Sequence, residues 1–218
     1  MRPLKIVGIV IGALLAVLVL GVVAILVLVD PNDYRDDIEA LVKSETGRSL
    51  QIGGEIDLKL FPWLALGVHD VRLGNPPGYG NQPFLTVREA SVGVKLFPLL
   101  NKRLEVSRVA VDGLDVRLIS RGEDANNWKD LAESEEQKEE SSGGTAEATV
   151  AGIGVTDSTL VYTDEVEKSV TRLRNLEVHT GALGSGDPVN ASMKFDYDDG
   201  GDAPVARMEM KAVVQLSS

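Results

Sequence analysis

Histidine and cysteine, the side chains most often used in acid–base and metal chemistry, are scarce in this sequence. It contains two histidines, His69 and His179, and no cysteine. Metal sites that use thiolate ligands are therefore excluded. General acid–base catalysis and histidine-based metal sites need partner residues that the sequence does not show. We interpret both histidines as surface residues, so the sequence predicts no catalytic residue and no enzymatic activity.

One group of carboxylates weakly resembles a calcium-binding loop. Asp196, Asp198 and Gly200 have part of the required spacing, but the glycine is displaced. The position that should carry a chelating glutamate is Arg207. We interpret the segment as a turn between two strands, and the sequence predicts no metal site and no cofactor.

Composition limits the partners of the chain. The formal net charge is -11 over 218 residues, whereas a nucleic-acid-binding protein needs a basic face. Aromatic residues make up 5% of the chain, and 22 residues are glycine. This composition predicts no nucleic-acid partner and favours strands and turns over a helical bundle.

An uninterrupted apolar run extends from Ile6 to Val29. At about 1.5 Å per residue, such a helix could cross a hydrocarbon core of about 30 Å. Arg2 and Lys5 precede it and acidic residues follow it, which predicts a single-pass anchor with a cytoplasmic N-terminus. A cleaved signal peptide is the alternative, but its apolar core is usually about 7–15 residues long. Gly8 and Gly12 form a GxxxG pair that suits helix packing.

A short amphipathic helix is predicted after the anchor. Asn32 or Asp33 can cap its start, and Gly47 can end it. We expect this helix to cover one end of the domain core. The alternative is a helix on the membrane surface, which its acidic polar side disfavours. Its apolar positions are Tyr34, Ile38, Leu41 and Val42.

Alternating apolar residues then predict a repeated hairpin. One strand is expected from Leu50 to Leu60, and the heptapeptide at residues 58–64 closely resembles that at residues 94–100. The alternation changes parity near His69-Asp70 and again near Ser107-Arg108, which predicts a β-bulge at each place. The result is two copies of a strand–FPxL–strand unit in a curved antiparallel sheet.

The remaining sequence predicts more strands. Asp112-Gly113 is either a tight hairpin turn or another bulge within a long strand. The predicted divisions are an anchor at 1–30, a helix with β-repeats at 31–131, an acidic linker or loop at 132–149, and further strands at 150–218, which form an incomplete second part of a groove.

The apolar sides of these strands are the candidate functional surface. They could form an ordinary core beneath the amphipathic helix, or a groove for phospholipid acyl chains, in which each buried methylene contributes about 0.8 kcal/mol. The candidate lining residues are Ile56, Leu58, Leu60, Leu66, Val68, Val92, Val94 and Leu96.

Several motifs in this order resemble the AsmA family. They are DPNDYRDDIEALVKSETGRSL, GGEIDLKLFPWLAL, DVRLGNPPGYG, VKLFPLL, VAVDGLDVRL and NNWKDL. The similarity is close up to about Leu131 and weaker after it. Members of this family are usually longer, so the sequence resembles the N-terminal part of a member or a truncated product.

The resemblance implies a mainly β protein of the bacterial inner membrane, with most of the chain in the periplasm. It implies a part in outer-membrane biogenesis and envelope lipid homeostasis, through a β-groove like that of chorein-type lipid bridges. The expected partners are the membrane, phospholipid acyl chains and envelope assembly proteins. The alternative is a non-catalytic scaffold that regulates the assembly or targeting of outer-membrane proteins.

Overall fold

The structure is a computed structural model that describes residues 30–59, 64–95, 98, 104–123, 125–131, 148–183, 187–200 and 206–215. The chain divides into two compact units, residues 1–36 and residues 37–218. The predicted anchor, with Gly8 and Gly12, lies outside the described residues. Within the described ranges, no helix is long and apolar enough to cross a membrane.

The described chain begins with a single 3₁₀ turn over Pro31–Tyr34, followed by helix α1, Arg35–Thr46. The expected cap at Asn32 or Asp33 is wrong. Asp30 is the N-cap, because its extended backbone lets its carboxylate accept the backbone N–H of Asn32 at 2.8 Å. Pro31 then occupies the first position of the turn, where its missing N–H costs nothing.

Helix α1 ends where the sequence predicts, but it does not cover a core. Gly47 adopts a left-handed φ of 70° and donates to the carbonyl of Lys43 at 3.0 Å. No residue of the helix is buried, and Ile38 and Leu41 are exposed. Glu39 accepts the backbone N–H of Ile52 at 2.7 Å, so a polar side chain of the helix contacts the sheet. The expectation that its apolar side packs on the core is therefore wrong.

The rest of the described chain forms one open, 11-stranded sheet with the spatial order β1-β3-β4-β6-β8-β9-β10-β11; β2 pairs with β3, and β5 pairs with β4 and β7. The strands are β1 Leu50–Ile52, β2 Ile56–Lys59, β3 Leu64–Gly74, β4 Pro83–Val94, β5 Leu104–Val106, β6 Val109–Ser120, β7 Ala148–Val150, β8 Ile153–Asp164, β9 Ser169–Thr180, β10 Val189–Asp198 and β11 Ala206–Val214.

Both predicted hairpins are present as antiparallel pairs. Leu58 lies opposite Leu66 in the first, and Val94 lies opposite Val106 in the second. The single strand expected from Leu50 to Leu60 is interrupted at Gly53-Gly54, where both backbone N–H groups donate to carbonyls of β3. A Cβ on Gly54 would lie 2.6 Å from the Cβ of His69, so this close approach requires glycine.

The sequence predicts an antiparallel sheet, but the observed sheet is mixed. Strand β6 pairs with β8 in parallel, and β5 pairs with β7 in parallel. Antiparallel neighbours can be joined by a tight turn, whereas parallel neighbours need a return crossover. The chain makes that return between Ser120 and Ala148, a stretch that includes the predicted acidic linker or loop.

A transverse line of left-handed residues crosses the sheet. Asp70, Gly113, Asp157 and Asn175 have φ values of 50°, 65°, 47° and 50° and lie at the same level of β3, β6, β8 and β9. We call this line the crease. It confirms an irregularity at His69-Asp70, and it resolves Asp112-Gly113 as a bulge within a long strand.

The crease keeps apolar side chains on one face of the sheet. Arg88 and Glu89 are consecutive in β4; Glu89 lies opposite Asp112, and Arg88 hydrogen-bonds Asp112. Two successive side chains therefore project to the same face, which shifts the alternation by one residue. The apolar residues on both sides of the crease consequently share the opposite face.

We expect Gly113→Ala to lower the free energy of unfolding by about 2 kcal/mol. A residue with a Cβ is strained at this φ, and the added Cβ would lie 2.8 Å from the Cβ of Arg88. Gly154→Ala, in the neighbouring strand, is the control because its Cβ would meet nothing nearer than 3.5 Å. Urea unfolding of the full chain measures both; equal stabilities would contradict the structural role of the crease.

Candidate functional site

One face of the sheet is apolar from its first strand to its last. Directly opposed residues of neighbouring strands project to the same face, so the register defines two continuous rows, one on each side of the crease. The first row is Ile56, Val68, Ala90, Val111, Val155, Val178, Met193 and Met210. The second row is Leu50, Leu73, Leu85, Val116, Leu160, Leu173, Tyr197 and Ala206.

This apolar face is only partly covered by the described residues. Leu66 and Val92 expose 40% and 37% of their surface, and Met210 exposes 51%. No described helix packs along the strands; the extensive contacts between elements are all between strands. An apolar surface of this extent is typical of a binding site rather than of a closed core.

The sequence predicts eight lining residues. The structure describes six of them, and these six lie together on the apolar face. Ile56 is buried, Leu66 and Val92 are exposed, and the other three are half-buried. Leu60 and Leu96 lie outside the described residues. The candidates missed by the sequence are those of β6 to β11, since their face depends on register across the crease and not on local alternation.

The opposite face is polar, and several of its charges are paired. Arg88 donates to Asp157 at 2.9 Å and, through Nε, to Asp112 at 2.7 Å; Thr156 donates to Asp112 at 2.8 Å. The hydrogen bonds from Thr156 and then from Arg88 hold the pKa of the Asp112 carboxyl below its usual value. We call this side of the sheet the polar face.

The residues considered for chemistry also lie on the polar face. His69 Nε2 is 2.9 Å from an Asp57 carboxylate oxygen, whereas His179 lies beside Gly154. Asp196 accepts Arg207 Nε at 2.8 Å, so the guanidinium of Arg207 contacts this carboxylate of the suspected calcium loop. The described residues contain no cluster of side chains that could hold a metal ion.

A buried arginine anchors one end of the sheet region. Arg48 is fully buried and donates to Asp130 through Nε at 2.8 Å and to the carbonyl of Asn127 at 2.7 Å. Its guanidinium also lies 4.6 Å from the ring centre of Phe84. Sequence patterns do not reveal this cluster, because Arg48 and Asp130 are far apart in the chain.

Asn127 extends this cluster into β6. It is fully buried, accepts the backbone N–H of Ile119 at 2.8 Å, and donates to the carbonyl of Arg117 at 2.8 Å and to Asn75 at 2.7 Å. The cluster therefore connects the junction of α1 and β1, the loop that follows β3 and the segment after β6.

The apolar face matches the dimensions of lipid chains. Strands about 4.8 Å apart give a row across eight strands a length of roughly 34 Å. Half of a bilayer core is about 15 Å thick, so an extended acyl chain lying along a row would be covered over its full length. The two rows contain no charged side chain, so they can recognise apolar chains through contact area alone.

Comparison with known proteins shows the family of this chain. The sequence profile of the AsmA family matches residues 1–207. Protein AsmA of Escherichia coli (strain K12) is 30% identical over 176 residues, which are 76% of this chain and 27% of that protein. The chain thus spans about a quarter of the length of this curated relative. No solved structure gives a significant match. With a family match over nearly all of its length, the chain belongs to the AsmA family.

Proposed function

We propose that this chain is a membrane-anchored protein of the bacterial envelope whose apolar sheet face binds phospholipid acyl chains. One observation carries the proposal: the face is continuous over eight strands and is only partly covered by the described residues. Water contact with such a surface is unfavourable by about 25 cal/mol for each Å² of apolar area. Acyl chains would remove that contact without any change in the fold.

The cellular role follows from the family resemblance. We propose that lipid binding serves outer-membrane biogenesis and envelope lipid homeostasis, from an inner-membrane anchor with the sheet in the periplasm. The polar face, with its paired charges, suits contact with periplasmic water. In this proposal the chain is not an enzyme; it binds and shields lipid chains.

Photocrosslinking in living cells tests the proposal on the full chain. A photoreactive phenylalanine analogue replaces Val92 on the apolar face or Val213 on the polar face, since both valines are exposed. Cells are grown with radioactive phosphate, irradiated and lysed, and the purified chain is analysed on a gel. We expect labelled phospholipid on the Val92 variant and at least tenfold less on the Val213 variant.

The same experiment separates the two functions implied by the family. A crosslink from Val92 to another envelope protein, without phospholipid, would contradict lipid binding and support the scaffold function instead. Equal phospholipid labelling at both positions would mean that the sheet contacts lipid without using its apolar face, which would also contradict the proposal.

A further inference from the structure

A small cavity lies on the polar face, on the side of the crease where β6 begins. Its volume is about 260 Å³, and it is lined by β4, β6, β8 and β9 together with Arg108, which directly precedes β6. All four are interior strands, so the cavity does not depend on what adjoins either edge of the sheet. Pockets for drug-sized ligands are about 300–1,000 Å³, so a ligand of this cavity is a smaller molecule.

Two very short side chains form the floor of the cavity. Ala110 lies opposite both Ser91 and Gly154. Gly154 in turn lies opposite His179. Directly opposed residues project to the same face. The row therefore has a serine at one end, a histidine at the other, and almost no side chain between them, which makes a depression with Ser91 and His179 as two of its walls.

Two opposite charges line the cavity at separate positions. Glu89 lies opposite Asp112, and Arg108 precedes Asp112 by four residues, so their Cα atoms are roughly 13 Å apart along the strands. The Cδ of Arg108 is 3.8 Å from the position of a Cβ on Gly154, so this side chain extends over the floor. Within the described residues, neither the Glu89 carboxylate nor the Arg108 guanidinium has a hydrogen bond or an ion pair.

The charges beside them are already paired. Asp112 accepts a hydrogen bond from Arg88 Nε at 2.7 Å. Arg88 also donates to Asp157 at 2.9 Å, so its guanidinium is divided between two carboxylates. Of the charged side chains around the cavity that the structure describes, Glu89 and Arg108 are therefore the ones available to a ligand.

His179 places a titratable ring beside the floor. Its Nδ1 is 3.5 Å from the position of a Cβ on Gly154. This nitrogen is buried and has no hydrogen-bond partner in the part of the chain that the structure describes. The ring is therefore sensitive to any charge placed above Gly154, and its magnetic resonance signals can report an occupied cavity.

We propose that this cavity binds a small zwitterion, with an oxyanion at Arg108 and an ammonium group at Glu89. A guanidinium donates paired, charge-assisted hydrogen bonds to an oxyanion, and a carboxylate accepts them from an ammonium group. The Ser91 hydroxyl is a further donor or acceptor in the same cavity. A simple anion or cation would leave one of the two charges unpaired, whereas a molecule that carries both signs pairs each of them.

Phosphoethanolamine has this chemistry, either as a soluble molecule or as the head of a phospholipid. The two charges of the molecule are joined by a short, flexible link, which suits a small cavity with a charge toward each end. This inference does not depend on lipid binding by the apolar face, because the cavity lies on the opposite side of the sheet.

Titration of the full chain in an uncharged detergent tests the proposal. The chain has two histidines, so selective isotope labelling gives a simple spectrum in which His179 can be assigned by substitution. We expect soluble phosphoethanolamine to shift the His179 ring signals in a saturable way. Inorganic phosphate and ethanolamine carry one charge sign each and should bind at least tenfold more weakly. Saturation by dihexanoyl phosphatidylethanolamine alone, and not by its phosphatidylglycerol counterpart, would support the same chemistry with a lipid as its source.

Substitutions locate the binding site. Arg108→Gln and Glu89→Gln should each weaken binding at least tenfold, since each removes one charge-assisted contact. Ala110→Leu fills the floor without changing any charge and should have a similar effect. Arg72→Gln is the control, because Arg72 is an exposed arginine of the polar face beyond the crease, and its binding should stay within twofold. Residues 72, 89, 108 and 110 are exposed, so the thermal midpoints should be unchanged.

Three results would overturn the proposal. The first is the absence of a saturable shift with both the soluble compound and the short-chain lipid. The second is binding of inorganic phosphate as strong as that of phosphoethanolamine, which would mean that Glu89 has no part. The third is an equal loss of binding in Arg72→Gln and Arg108→Gln, which would mean that the net charge of the face matters and the cavity does not.

Discussion

Replacing Leu66 or Val92 with glutamate is expected to weaken the binding of a long-chain fluorescent phospholipid at least a hundredfold. These residues lie directly opposite each other, near the start of β3 and the end of β4, on the apolar face. A carboxylate there would be desolvated beneath an acyl chain with no partner, at a cost of roughly 3 kcal/mol or more. That cost corresponds to about two powers of ten in the dissociation constant.

The control is the same chemical change on the other face. Val213→Glu introduces a carboxylate at an exposed valine of the polar face, and binding should stay within twofold of the unchanged chain. Because Leu66 and Val92 are themselves partly exposed, all three variants should keep their circular dichroism spectra and thermal midpoints. Equal loss of binding in all three would exclude the apolar face as the site.

Arg48→Ala is expected to lower the free energy of unfolding by about 3 kcal/mol. The substitution removes a fully buried guanidinium, leaves the carbonyl of Asn127 without its donor, and ends the contact with the ring of Phe84. Removing one partner of a buried ion pair typically lowers the free energy of unfolding by about 3–5 kcal/mol. Since Asp130 is partly exposed, the lower end of that range applies. Urea unfolding of the full chain is the measurement.

Arg121→Ala is a closely matched control. Arg121 also donates to a carboxylate, Glu165, and to a backbone carbonyl, that of Gly78, and it also lies over an aromatic ring, that of Tyr79. The two arginines differ in their exposure to solvent: the Arg121 side chain is 40% exposed, whereas that of Arg48 is buried. Exposed pairs contribute about 1 kcal/mol or less. If both substitutions cost the same, burial does not explain the stability of the Arg48 cluster.

The Arg48 cluster also predicts a dependence on pH. Its hydrogen bonds lower the pKa of Asp130 from the usual 3.8. A carboxyl with a lowered pKa in the folded state stabilises the fold above its unfolded pKa, and this contribution is lost as the pH falls through the folded value. The difference in stability between the unchanged chain and Asp130→Asn should therefore be constant near neutral pH and shrink below about pH 4.

Local alternation was sufficient to predict most of the strands and, in β2 to β4, the side on which their apolar residues lie. The parity change at His69-Asp70 even predicted one point of the crease, because a left-handed residue leaves a trace in the spacing of valines and leucines. The sequence alone did not show that the irregularities in β3, β6, β8 and β9 align. That alignment depends on register between strands, which is a non-local property.

Two other features were also beyond local patterns. The parallel pairing of β6 and β8 depends on where the chain returns after Ser120, and an alternating strand looks the same with either kind of neighbour. Helix α1 has the amphipathic pattern of a covering helix, yet Ile38 and Leu41 are exposed. A pattern indicates that a face is apolar, but not what covers it.

Native mass spectrometry of the full chain, released from membranes in a mild detergent that is removed in the gas phase, tests the central claim most directly. The apolar face should retain lipid, so we expect each copy to carry bound phospholipid, which dissociates on collisional activation and is lost in the Val92→Glu variant but kept in Val213→Glu. A folded chain that appears only at its own mass, and takes up no phospholipid from added vesicles, would contradict the account.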